Sequence, residues 1–335
     1  MRRSMVLLAA VLALPLAPST GTSQQRGRLN PLVDLLAEGK PIFGLYAPSN
    51  RRPGPPASAA TSAPAAKSPA ELARTALAYA EADFVFDGSM EGDFESGYRT
   101  FADFARGLSE GGMLRRQPAR LRLPMAVKMN EIAPDPAAAA VRIGRQLDLG
   151  VSAVVFVDVQ SADEVRQGLA AMRFRSHGGT RPDASGEAPA RWGMSAPEYR
   201  ERADLWPLNP RGELLNWTIV ESREGIARVR EIAAVKGIGV LFPGAGTLRR
   251  VFTSKDAAGK EHFDAAGWEE AIQRVLAACK EFKVACGYPA RESDIEMRMR
   301  QGFSVFIMGW GDEGFRTVEL GRRLSGRGAS GAGQR

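Results

Sequence analysis

Eight times between residues 31 and 324 a short apolar run is followed by a loop and an amphipathic helix. The runs are Ile42–Tyr46, Asp83–Asp87, Met125–Met129, Ala153–Val159, Leu215–Val220, Gly239–Phe242, Val284–Gly287 and Ser304–Met308. Strands this apolar are buried on both faces. Parallel neighbours need a crossover of a dozen or more residues, which the intervening helices supply. The alternation therefore predicts a parallel sheet with helices outside. Eight such units in 335 residues predict an α/β fold of the (β/α)8 TIM-barrel type, with an open doubly wound sheet as the alternative. In a barrel the chemistry sits just behind the strands' C-terminal ends. The segments to search are then 46–50, 87–93, 128–131, 158–160, 221–222, 243–246, 287–288 and 309–312.

Outside this pattern the chain is simple. Arg2 and Arg3 precede an apolar stretch, Met5 to Leu16, and a small and polar segment that ends near Gln25. A run of about a dozen residues is short for a bilayer span but suits a signal peptide. Residues 1–24 are therefore expected to be a cleaved signal and the protein to be exported, periplasmic or secreted, an uncleaved anchor being the alternative. The formal charge of +7 falls to +5 without that segment. The remaining basic residues are scattered without aromatic interleaving, so no nucleic-acid partner is expected. Cys279 and Cys286 lack the partners of a metal site and read as buried small apolar residues. The segments 47–67 and 175–211 read as long connections, and residues 328–335 as a disordered tail.

One stretch says more. From Gln146 to Glu164 the sequence is QLDLGVSAVVFVDVQSADE. A helix ends on Asp148 before Gly150, a strand follows, and Ser161 with Glu164 forms the capping pair of the next helix. This unit resembles the middle of the HpcH/HpaI aldolases, and the likeness extends over residues 30–325. It implies a barrel that makes or breaks a carbon–carbon bond next to a 2-keto acid such as pyruvate. A divalent metal, Mg2+ or Mn2+, assists, and trimers or hexamers are common.

Carried over residue by residue, the resemblance gives a partial site. Glu221, in the segment NWTIVESRE, matches the family's first metal-binding carboxylate. Gly246 in LFPGAGTL stands where the second would be; Asp158 is a candidate substitute from a neighbouring strand, with a cap of the following turn as the alternative. The turn at Gly244 and Ala245 can still offer backbone amides to a substrate carboxylate. Lys128 replaces an arginine that grips the keto acid. It keeps the charge without the planar fork, and a Schiff base and a structural ion pair are competing roles for it. Asp87 and Asp148 match acids of the active-site network, and Asp148 can serve a neighbouring subunit. Met90 takes the place of the family's histidine; Glu91 just beyond reads as a solvent-facing loop acid, with a substitute base as the alternative. The expectation is a metal-dependent carbon–carbon lyase with a partly altered site. An exported, non-catalytic or repurposed carboxylate-binding barrel is the alternative.

Overall fold

A computed structural model describes residues 27–49 and 65–328. Eight parallel strands close into a barrel: β1 (Ile42–Tyr46), β2 (Phe84–Asp87), β3 (Met125–Lys128), β4 (Ala153–Phe156), β5 (Leu214–Val220), β6 (Val240–Pro243), β7 (Ala285–Pro289) and β8 (Val305–Met308). Each pairs with the next in sequence, and β8 returns to β1 with Ile42 opposite Val305. The strands predicted from the apolar runs are all present within two or three residues at their ends. The fourth is the largest trim: it stops at Phe156, so Asp158 lies in the loop behind it.

Two apolar layers hold the barrel. Its interior is filled by Phe84, Phe86, Val155, Trp217, Ile219, Phe242 and Ile307, all nearly solvent-free. The Trp217 ring meets Phe84 edge-on at 5.0 Å. Gly44 makes room for this packing, because a Cβ there would stand 2.1 Å from the Phe84 ring. The second layer joins the outer faces of the strands to the helices. The last helix, Asp312–Leu324, lies on its own barrel, with Arg322 reaching Glu81 and Asp83. No helix among the described residues is long and apolar enough to cross a membrane.

The long connection after β4 is more ordered than its sparse apolar content suggested. It holds a 3-10 turn, helices Ala188–Trp192 and Ala196–Arg202, and a two-residue strand, Leu205–Trp206, beside β5. Trp192 and Tyr199 are fully buried and anchor it by donating to the carbonyls of Gly150 and Leu147. Those carbonyls lie just before β4, so the connection packs on the N-terminal face of the barrel.

The cysteines call for a correction. Cys279 and Cys286 form a disulfide rather than two free apolar side chains. The helix Ala265–Phe282 turns straight into β7 and brings their Cα atoms to 5.7 Å, which a disulfide spans comfortably. Residues 1–24 and most of the segments 47–67 and 328–335 fall outside the described residues.

Candidate active site

The C-terminal ends of the strands surround a cavity of about 840 Å³. Tyr46 of β1, Lys128 of β3, Glu221 behind β5, the turn 244–247 behind β6 and Tyr288 of β7 all line it. A smaller recess of about 320 Å³, bordered by Asn130, Glu131 and Asp135, shares Glu91 and Glu221 with it.

Glu221 is the deepest acid of this mouth, with only 6% of its surface exposed. Its Oε1 accepts the backbone N–H of Asp158 at 3.3 Å, and Thr247 gives it a side-chain hydrogen bond. Burial pushes its pKa up; Thr247 and the Lys128 charge counter this in part, while Glu91 and Asp158 add to it. No Lys, Arg or His among the described residues forms an ion pair with it within 4 Å. Gly244 is required beside it, because a Cβ at that position would stand 2.3 Å from Oε2 and 2.4 Å from the Glu221 Cβ.

Asp158 adopts φ 43°, a left-handed conformation uncommon for a residue with a side chain. That turn aims its N–H at Glu221. Its Oδ2 accepts from the Gln160 amide at 3.1 Å, whereas Oδ1 is buried with no hydrogen-bond partner. A buried carboxylate oxygen without a donor is costly and uncommon.

Behind β6, Gly244 caps the helix Ala245–Val251 without a side-chain hydrogen bond. The first-turn N–H groups of Ala245, Gly246 and Thr247 have no acceptor within the helix, and these residues line the cavity. Lys128 faces them with its side chain 13% exposed and its Nζ 2.7 Å from Glu91 Oε2. An ammonium has three donors, so two remain for a ligand. The Tyr46 phenol is pushed up to about 12 by burial and by the charges of Glu91, Glu221 and Asp87. It stays a neutral hydrogen-bond donor at any physiological pH.

The structure thus brings Lys128, Glu221, Gly244, Ala245 and Asp158 to one end of the barrel. Asp148 does not join them, and Asp87 reaches the same end without lining the cavity. Asp87 ends β2, but its Oδ1 is taken by the backbone N–H and hydroxyl of Ser89, at 2.9 and 2.5 Å. Asp148 ends the helix that leads into β4 and so lies on the opposite face. There its Oδ1 accepts from Arg181 at 2.8 Å, within the packed connection. Sequence reasoning missed Thr247, although it closes the Gly-rich turn already singled out. It also gave no role to Asn130, or to Arg249, Arg250 and Arg291, which line the outer mouth.

Comparison with known proteins agrees with the barrel fold. The profile of the HpcH/HpaI aldolase/citrate lyase family matches residues 115–316, well over half of the chain. The chain belongs to that family. A hydroxypyruvate/pyruvate aldolase of Delftia acidovorans is 32% identical over 157 residues, covering 46% of this chain and 53% of its own length. A 2-keto-3-deoxy-L-rhamnonate aldolase of Escherichia coli is 29% identical over 153 residues, covering 46% and 52%. The chain thus spans about half the length of the curated relatives it matches. Among solved structures, a family protein of Burkholderia cenocepacia superposes with TM-score 0.61 at 22% identity, over 88% of this chain and 97% of that one. At that identity the likeness establishes the shared barrel.

Proposed function

We propose that the protein is a divalent-metal-dependent carbon–carbon lyase that cleaves or forms aldol bonds next to a 2-keto acid of the pyruvate type. The observation that carries this reading is Glu221, a buried mouth carboxylate with no cation paired to it. Aldolases among the relatives support the reaction class.

The donor set suits a hard cation. Among the described residues no group of three or more His, Cys, Asp or Glu converges, so the protein would contribute two carboxylates, Glu221 and Asp158. Mg2+ is commonly held in this way, with water and substrate completing its shell. The unpartnered Oδ1 of Asp158 is consistent with that role. When bound, such a cation polarises the keto oxygen as a Lewis acid. The chain's own groups do the rest. The amides of Ala245, Gly246 and Thr247 and the free donors of Lys128 bind the keto acid's carboxylate, which fixes the reacting carbons over the acids. Gly244 keeps the turn close enough for this, and Thr247 orients Glu221. Tyr46 offers a neutral hydroxyl to oxygens that gain charge during the reaction.

The test is release of pyruvate from a 4-hydroxy-2-keto acid, with and without chelator. Release that chelator stops, that Mg2+ or Mn2+ restores and that Glu221→Ala abolishes supports the reading. Release insensitive to chelator but lost in Lys128→Ala replaces it with a Schiff-base mechanism. Binding of pyruvate without turnover replaces it with a carboxylate-binding barrel.

Export is part of the same proposal. It rests on the character of residues 1–24 and on the Cys279–Cys286 disulfide, which suits an oxidising compartment. A mature protein in the soluble cytoplasmic fraction that still begins at Met1 would refute it.

A further inference from the structure

Glu91 takes no part in the binding just described, yet both its side chain and its backbone are held in place. It sits in the loop behind β2, outside any helix or strand, where an acid would ordinarily move freely. Two residues from the end of β3 prevent this. Lys128 fixes Oε2 at 2.7 Å, and the Asn130 amide donates to the carbonyls of Glu91 and Gly92 at 2.7 and 3.0 Å. Gly88 stands beside the group, with room for a Cβ. A Cβ there would lie 3.5 Å from Lys128 Cδ, 3.9 Å from Glu91 Oε2 and 4.0 Å from Tyr46 Cε1. Three side chains therefore converge on one point at the wall of the cavity, and Glu91 borders both the cavity and its recess.

Of the other proton acceptors, Glu131 borders only the recess, and most of the rest are engaged or distant. His262 bonds Asp256 on a surface hairpin, and His177 lies in the connection on the far face. Asp87 is taken by Ser89, and Asp294 accepts the Arg291 N–H. Glu221 and Asp158 are the carboxylates assigned to the cation in the reading above.

We propose that Glu91 is the catalytic base that removes a C3 proton from the bound keto acid, with Asn130 as its positioning residue; this rests on the aldolase reading above. In condensation the Glu91 carboxylate takes one proton from C3. The C–H electron pair becomes the C2=C3 bond of the enolate as the C2=O π electrons move onto oxygen. The enolate carbon then attacks the aldehyde, forming the new carbon–carbon bond. The proton on Glu91 passes to the resulting alkoxide. Cleavage runs in reverse: Glu91 takes the C4 hydroxyl proton, the C3–C4 bond breaks, and C3 receives the proton. Base removal costs enzymes of this type about 10²–10⁴-fold.

The experiment follows exchange of pyruvate methyl protons for deuterium by NMR, in D2O with Mg2+ and no aldehyde, with pyruvate affinity measured in parallel. The wild-type protein exchanges. Glu91→Gln loses about 10²-fold or more while pyruvate affinity stays within about two-fold, and Glu91→Asp regains part of the rate. Asn130→Ala lowers the maximal rate about 10-fold with the pyruvate KM unchanged. A merely structural Asn130 would lower the melting temperature and leave exchange per folded molecule intact. Exchange in Glu91→Gln within about three-fold of wild type overturns the assignment alone. A wild-type protein that neither exchanges nor releases pyruvate overturns the aldolase reading, and the assignment falls with it.

Discussion

The two ends of the barrel treat buried acids in opposite ways. On the N-terminal face each buried carboxylate has an arginine. Asp204 is gripped by Arg173 at 2.7 and 3.1 Å, Asp83 by Arg327 and Arg322, and Glu213 by Arg202. At the mouth Glu221 is buried almost as deeply as Asp204 but has no such partner. Their pKa values diverge accordingly. Burial pushes both up, but at Asp204 the bonds from Arg173, Asn209 and the Leu205 N–H outweigh it and hold the carboxyl below its usual range. At Glu221 burial prevails. A buried acid closed by guanidinium belongs to the scaffold; one left open toward a cavity is available to a ligand.

Swapping the amide into each end is the sharpest way to break this comparison. Glu221→Gln should cost turnover about 10³-fold while the fold survives. Asp204→Asn should leave activity per folded molecule unchanged and cost about 3 kcal/mol, because Arg173 loses its buried partner. Chemical denaturation beside pyruvate-release kinetics reads both, and equal loss of activity in the two variants would erase the distinction.

Glycine substitutions at the mouth give the next largest effect. Gly244→Ala forces a Cβ into Glu221 and should lower kcat about 10²-fold. Gly246→Ala meets nothing within 4 Å and should change kcat less than about three-fold. If the two behave alike, close approach to Glu221 is not what the turn requires.

A smaller effect concerns pH. The folded pKa of Glu221 is raised, so the protonated acid is the form that the fold tolerates best. Below the unfolded pKa of about 4.3 both states are protonated and the residue carries no penalty. As pH rises through the raised folded value, the buried charge destabilises the wild type. Glu221→Gln should therefore gain melting temperature over wild type at neutral pH and match it near pH 4. For Asp204, whose folded pKa is depressed, the stabilisation is present above the unfolded value and fades as pH falls. Melting curves from pH 2 to 8 on both variants read the two signs, Asp204 below pH 4 and Glu221 above it, and parallel trends would refute the contrast.

The barrel was legible because strands buried on both faces leave continuous apolar runs and glycines mark the turns. Which residues reach the mouth was legible only where strand and position coincide, as for Lys128 and Glu221. Asp148 shows the limit. Its local spacing resembles a site segment, but spacing does not tell which end of the barrel a helix terminus reaches, and here it meets Arg181. The disulfide was hidden for a similar reason, since pairing across seven residues depends on how tightly a helix turns into β7. Asn130 acts through backbone carbonyls of a neighbouring loop, and no motif in its own strand announces that.

The contrast between the two ends reduces to one claim: the Glu221 carboxylate is held open for a cation. Thermal melting of wild type and Glu221→Gln at pH 7.5, titrated with Mg2+ and Mn2+, tests it directly. Ligand binding to the native state alone raises the melting temperature with concentration. A rise in the wild type that Glu221→Gln abolishes is the predicted result. An equal rise in both proteins, or none in either, would contradict it.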